Sequence, residues 1–144
     1  RLAIADRHEF ALSLIEIERG GVSYTVDTLR QLRDEQPAAE LFFLMGADSL
    51  ADFPTRREPA AICELATPLV VRRGGAPPPD FDALAALVSA ERLAAIRAHE
   101  VEMPATPISS SNIRRLIAEH GDWQSLVPPG VAEFIERQGL YRAK

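Results

Sequence analysis

Two uninterrupted apolar runs, Leu41-Phe42-Phe43-Leu44-Met45 and Pro68-Leu69-Val70-Val71, constrain the fold of this chain more than any other feature. A strand with one wet face alternates polar and apolar residues, whereas a continuous run of strand length is the pattern of a strand covered on both faces. Each run stops at a cluster that ends regular structure, Gly46-Ala47-Asp48-Ser49 after the first and Arg72-Arg73-Gly74-Gly75 after the second. Between them, residues 58–66 read as a helix, with Pro59 tolerated in its first turn. Strand, helix and apolar strand in that order imply an α/β fold with a parallel sheet, in which ligands bind beyond the carboxyl ends of the strands.

The flanking segments extend this alternation. Leu14-Ile15-Glu16-Ile17-Glu18 reads as a short alternating strand ending at Gly20-Gly21. Ser23-Tyr24-Thr25 then caps a helix with apolar positions Val26, Leu29 and Leu32, closed by Gln36-Pro37. After the stiff Pro77-Pro78-Pro79 stretch, Asp80 caps a helix carrying Phe81, Leu84, Leu87 and Val88. A short strand at Val101 to Met103 leads into a helix that buries Ile113, Leu116 and Ile117. Pro128-Pro129 and Gly139 bracket a last helix with Val131, Phe134 and Ile135 inward. With 144 residues, 47% hydrophobic, the expectation is a single domain over residues 1–144. Arg1 in place of Met, and Leu2-Ala3-Ile4-Ala5 resembling the tail of an apolar helix, lead us to expect the C-terminal part of a longer fold.

The chemistry concentrates in Ile108-Ser109-Ser110-Ser111-Asn112-Ile113-Arg114-Arg115, which places three hydroxyls and two guanidiniums at a helix start. A helix N-terminus carries about half a positive charge, and its first turn ordinarily holds Asp or Glu. Here backbone N–H groups, hydroxyls and arginines converge on a spot suited to a phosphate if Ser109 or Ser110 is the N-cap; the plain alternative is a capped surface helix with solvated arginines. A net charge of −5 argues against a general nucleic-acid or membrane-surface binder, so the anion served is a small one. One cysteine, Cys63, excludes an internal disulfide or a multi-Cys metal site, and its setting reads as buried packing. No apolar run approaches the roughly 20 residues of a membrane span and the start has no signal-peptide core, so we expect a cytoplasmic protein. In a parallel sheet, Asp48, Arg73 and Ser109 are expected to share one crevice at the carboxyl edge.

Six segments in order carry a resemblance. They are Ser23-Tyr24-Thr25 with Thr28-Leu29, Phe43 to Leu50, Phe53-Pro54-Thr55, Val71-Arg72-Arg73, Ile108 to Arg114, and Gln138-Gly139-Leu140-Tyr141. Together they resemble the bacterial nicotinate-nucleotide adenylyltransferases over nearly the whole chain. The serine segment is similar to the ISSTxIR signature of the wider nucleotidylyltransferase superfamily. The resemblance implies a Rossmann-like parallel sheet and transfer of AMP from MgATP to nicotinate mononucleotide, with Mg2+ entering with ATP and no metal site on the protein. ATP and nicotinate mononucleotide would be the partners, a homo-oligomer the possible assembly. By position, Ser109, Ser111 and Arg114 would hold the triphosphate, with Arg114 and Ser109 in the catalytic role, and Ile108 would border the adenosine. Gly46 and Asp48 would border the nucleotide, and Thr25 and Arg73 would contact the nicotinate nucleotide. Read without the resemblance, Thr25 is an N-cap, Gly46-Ala47-Asp48 a turn, and Arg72-Arg73 a solvated basic pair.

Two departures from the family pattern stand out. The family begins with a strand, a Gly-rich loop and an HxGH motif, absent from residues 1–144, whose histidines His8, His99 and His120 stand apart. We therefore expect an incomplete sheet lacking its first strand, an exposed strand edge, and a chain that binds phosphate without transferring AMP. The second departure is Arg56, which stands where the family usually has a Trp stacking on the pyridine ring; as a substrate contact it would attract the carboxylate. The alternatives are another nucleotidylyltransferase, of the pantetheine-phosphate adenylyltransferase or cytidylyltransferase type, or a non-catalytic interaction module.

Overall fold

A computed structural model describes residues 1–142, which fall into two compact units, Leu14–Ala105 and a second formed by Arg1–Ser13 with the chain from Thr106 onward. In the larger unit, helices α1 (Ile15–Arg19) and α2 (Thr25–Glu35) precede strand β1 (Phe42–Gly46). Helix α3 (Pro59–Leu65), strand β2 (Thr67–Arg73), helices α4 (Asp82–Ala85) and α5 (Ala90–Ala98), and strand β3 (Val101–Met103) follow. The three strands form one parallel sheet in the order β1-β2-β3, with Gly46 beside Val71, Val71 beside Val101, and Arg73 beside Met103. All three strands therefore end on the same edge, where the expected ligand side of a parallel sheet lies.

The core of this unit gathers Val26 and Leu29 from α2, Met45 from β1, Ile62 and Cys63 from α3, Val70 from β2, and Leu84 and Ile96 from α4 and α5. Leu50 and Phe53, from the turns after β1, are also fully enclosed. Burial of an aliphatic or aromatic side chain contributes about 1.5–3 kcal/mol, so this cluster fixes where the strand-end loops emerge. Only one face of β1 joins the core. Phe42 and Leu44 on the other face are 42% and 66% exposed, so the expected cover on both sides is absent among the described residues.

Several local expectations are corrected. Leu14 to Glu18 is not a strand: Ile15–Arg19 is helical, with Ile17 77% exposed. Glu16 and Arg19, one turn apart, share a face, and both reach Thr28 on α2, at 2.6 and 2.8 Å. The helix at Thr25 begins after Tyr24, whose N-cap position has no side-chain cap. Asp80 accepts the N–H of Asp82 at 2.9 Å, but the helix it starts ends at Ala85; Ser89 then caps α5 by accepting the N–H of Arg92 at 3.2 Å.

The smaller unit holds the turn Leu2–Ile4, helix α6 (Ser110–Ala118), the turn Gln124–Leu126 and helix α7 (Pro129–Gln138). Ile117, Trp123, Ala132 and Ile135 form its core, with Ile113, Leu116 and Val131 packed against it. Phe134, expected inward, is 39% exposed with the Arg137 guanidinium over its ring; Ala132 takes the inward position. Gly139 ends α7 in the left-handed conformation that glycine adopts at least cost.

Candidate functional site

The three strand ends define a crevice of about 490 Å3 lined by Leu44, Gly46, Asp48, Val71, Arg73, Ala76 and Met103, among others. Gly46 is the last residue of β1, and the chain turns at once into the helical turn Ala47–Ser49, which brings Asp48 back over the strand end. A Cβ at Gly46 would meet the end of the Asp48 side chain, so a larger residue there would turn that carboxylate aside. On β2 the alternation of side chains separates the two arginines. Arg72 is engaged by Glu100 at 3.0 Å, Glu102 at 2.9 Å and the Ala76 carbonyl at 3.2 Å, so it is a structural residue and not a solvated one. Arg73 points to the crevice and has no hydrogen bond or ion pair among the described residues. Gly74 passes close to the exit of β3, donating its N–H to the Met103 carbonyl at 2.7 Å, which sets the floor beside Arg73.

A second cavity of about 260 Å3 in the same unit is lined by Ser23, Tyr24, Thr25, Thr55, Arg56, Arg57 and Ile62. Thr25, the first residue of α2, meets the segment after the turn Phe53–Thr55 here. The Arg56 guanidinium lies 5.5 Å from the Phe43 ring and 5.7 Å from the Phe53 ring, and Arg57 lies 4.6 Å above Tyr24. Thr25 and Arg56 are thus brought together, while Arg73, grouped with them by the resemblance, lines the other cavity.

Arg57 and the acidic residues behind it were not singled out from sequence. Arg30 makes two hydrogen bonds to Glu58, at 3.2 and 2.5 Å, and lies 3.5 Å from Asp27. The Arg30 contact holds the Glu58 carboxyl below its usual range and raises the guanidinium above its own. Glu58 sits at φ 51 as the residue before α3, a conformation this pairing helps hold. The spacing of Asp27 and Arg30 on α2 was the legible signal; the reach to Glu58 was not.

In the smaller unit, Ser109 is the N-cap of α6 and accepts the Asn112 N–H at 3.1 Å. Ile108, Ser111 and Arg114 are exposed, and Arg114 reaches the Ser110 hydroxyl at 3.5 Å with no ion pair among the described residues. Arg115 is tied to Glu119 at 2.5 Å and Asn112 at 2.8 Å. The first turn of α6 thus keeps the Arg114 guanidinium and its outer hydroxyls toward solvent, with no acidic residue. His99 donates its Nδ1–H to the Ala95 carbonyl at 2.8 Å and packs on Phe42. Cys63 is buried, and desolvation pushes its thiol up to about 11, so it is inert packing. Among the described residues no group of three or more His, Cys, Asp or Glu could hold a metal ion, and no helix is long and apolar enough to cross a membrane.

No family model matches the chain. Three curated relatives are named as probable nicotinate-nucleotide adenylyltransferases. That of Rhodopirellula baltica is 35% identical over 144 residues, covering 100% of this chain and 67% of the relative. That of Thermomicrobium roseum is 44% identical, covering 99% and 64%, and that of Frankia alni 39% identical, covering 99% and 70%. The chain thus spans about two thirds of the length of these relatives. Among solved structures, the nicotinic acid mononucleotide adenylyltransferase of Plasmodium falciparum complexed with APC aligns with a TM-score of 0.55 at 17% identity, over 85% of this chain and 60% of that one. The same enzyme complexed with NaAD aligns at 0.54 and 18%, over 83% and 58%. The parallel α/β fold is the one those two structures share. Identity at these levels across nearly all of the chain is more specific than the shared fold. The chain belongs to the nicotinate-nucleotide adenylyltransferase family.

Proposed function

We propose that the reaction served is transfer of AMP from MgATP to nicotinate mononucleotide, forming the dinucleotide and releasing pyrophosphate, and that residues 1–144 by themselves bind the substrate phosphates with little or no transfer. The acceptor's phosphate oxygen bonds to the α-phosphorus of ATP as the bond to the bridging oxygen of the β-phosphate breaks. Such a transfer asks the protein for positioning and charge neutralisation more than for a nucleophile. The observation that carries the reading is the crevice at the carboxyl edge, lined by Asp48 and by an Arg73 with no partner among the described residues, in a chain of this family. In this reading Gly46 and Asp48 border the nucleotide, and Arg73, unengaged by protein carboxylates, meets an anionic part of a substrate. Thr25 and Arg56 contact the nicotinate nucleotide.

Ser109, Ser111 and Arg114 serve the triphosphate, with Ile108 beside the adenosine. A capped helix start with no acidic residue in its first turn supports that role. Mg2+ enters on the phosphates of ATP, since it keeps most of its waters and prefers phosphate oxygens to a cage of side chains. A cytoplasmic location fits this chemistry, since both substrates are charged nucleotides. The test measures ATP and nicotinate mononucleotide binding together with pyrophosphate release, for residues 1–144 and for the chain extended upstream, beside parallel reactions with phosphopantetheine and with CTP. Turnover only with either of the latter would move the protein to another branch of the superfamily.

A further inference from the structure

Arg73 lines the crevice without a hydrogen bond or ion pair among the described residues, so no partner side chain fixes its aim. Its direction is inherited from its backbone, which leaves β2 in a tight turn. The Ala76 N–H donates to the Arg73 carbonyl at 2.9 Å, and Gly75 between them sits at φ 82, a left-handed value that glycine takes at least cost. The Gly74 N–H, bonded to the Met103 carbonyl at 2.7 Å, ties the near arm of the turn to β3. Beyond the far arm come Pro77, Pro78 and Pro79, which carry no N–H and so cannot donate to the sheet.

Arg72 holds that far arm. Neighbours on a strand take opposite faces, so Arg72 lies on the face of Val70, away from Arg73 and outside the crevice lining. Its Nε donates to Glu100 at 3.0 Å and one Nη to Glu102, its register partner on β3, at 2.9 Å. The other Nη reaches the Ala76 carbonyl at 3.2 Å, and Ala76 does line the crevice. With a side chain 22% exposed, Arg72 is the least exposed ion-paired arginine among the described residues, so water and salt weaken these contacts least. The planar fork makes the three contacts interdependent: the two carboxylates orient it, and the remaining donor then meets the carbonyl. A lysine ammonium is a point charge without that fork, so it can pair with a carboxylate without also holding the turn.

Resting on the adenylyltransferase reading above, we propose that Arg72 is a positioning residue: by holding the Ala76 carbonyl it fixes the turn Arg73–Ala76, and so aims the Arg73 guanidinium at an anionic group of the nucleotide in the crevice. Two adjacent arginines thereby divide their roles. One gives its donors to the protein, and the other keeps its own for the ligand.

The experiment uses Arg72→Lys, Glu102→Gln, Arg73→Ala and the double variant Arg72→Lys/Arg73→Ala, each in residues 1–144 and in the chain extended upstream. Calorimetric titration with ATP and with nicotinate mononucleotide reads binding, pyrophosphate release by the extended chain gives KM and kcat, and amide exchange followed by NMR reads the turn. Arg72→Lys keeps a charge beside Glu100 and Glu102, so its unfolding midpoint should stay close to that of the unaltered protein. It should weaken the same nucleotide that Arg73→Ala weakens, by roughly three- to tenfold, as expected for one hydrogen bond, and through KM with kcat little changed. Glu102→Gln, which loosens the fork, should act in the same direction to a smaller extent. In the Arg73→Ala background, Arg72→Lys should cost nothing further, because it acts through a side chain already gone. The Ala76 amide should exchange about tenfold faster in Arg72→Lys while the amides of β2 stay protected. Losses that add in the double variant, or that fall on the nucleotide Arg73 does not hold, would make Arg72 general scaffold and overturn the proposal, as would unchanged affinity or an unchanged Ala76 amide. If neither nucleotide binds and the extended chain is inactive, the adenylyltransferase reading falls; exchange at Ala76 then decides the clamp by itself, a released amide upholding it and a protected one overturning it.

Discussion

The two edges of the sheet treat the same residue type in opposite ways. At the amino edge, Arg33 donates to the Ala39 and Leu65 carbonyls, each at 2.6 Å. Arg92 donates to the Cys63 carbonyl at 3.1 and 2.8 Å and to Ala66 at 3.2 Å. These oxygens include the last carbonyls of α3, which have no partner within the helix, so both guanidiniums are fully engaged as C-terminal caps. At the carboxyl edge Arg72 is tied to Glu100 and Glu102 on its side of β2, whereas Arg73 has no hydrogen bond or ion pair among the described residues and Arg57 has only contacts of 3.8 Å to Asp27 and Glu58. The difference teaches that an arginine in this fold is consumed where it meets helix-end carbonyls or a neighbouring carboxylate, and left open where it meets neither.

The contrast predicts a strict division between stability and chemistry, and its largest test is Arg92→Ala. Hydrogen bonds from a charged donor contribute about 1.5–3 kcal/mol, and the carbonyls it leaves are partly enclosed, so we expect a loss of about 3 kcal/mol in urea unfolding. Arg114→Ala should reduce triphosphate affinity and AMP transfer by about 1.5–3 kcal/mol, roughly ten- to a hundredfold, with the unfolding midpoint unchanged. Arg73→Ala should weaken turnover toward the lower end of that range, while stability stays within about 0.5 kcal/mol, as for exposed residues outside the core. A large stability loss in Arg73→Ala, paired with none in Arg92→Ala, would reverse the comparison.

The smallest effect belongs to Arg30, whose pair with Glu58 lies in solvent. Because Arg30 lowers the Glu58 carboxyl from its ordinary 4.5, the pair's contribution is present above that value and is lost as pH falls through the lowered one. Thermal midpoints of the protein and of Arg30→Ala should therefore differ slightly near neutral pH and converge in acid; a gap that widens on acidification would contradict the assignment.

Much of this arrangement was legible in the sequence. The runs Phe42 to Met45 and Pro68 to Val71 announced the parallel pair because continuous apolar strands have few other uses, and Ser109 announced its cap because a serine before Asn112 and Ile113 has little else to bond. Ile15-Glu16-Ile17-Glu18 misled because alternation over four residues fits a strand or a short exposed helix equally, and the choice was made by Thr28, twelve residues from Glu16. The division between Arg72 and Arg73 was hidden for the same reason: neighbours in sequence take opposite faces of β2, and the partners Glu100 and Glu102 arrive only through the register with β3. Arg56 has Phe53 three residues away as local aromatic support, but its second ring, Phe43, lies on β1 and no local pattern reveals it.

Gly46 and Asp48 compete for one small volume. Because any side chain at position 46 would take the space of the Asp48 carboxylate, volume added at one position is converted into displaced charge at the other. Substitutions at the two sites should therefore be epistatic: once Asp48 is replaced by alanine, a methyl group at 46 loses most of its cost, and the double variant is better than the sum of the singles.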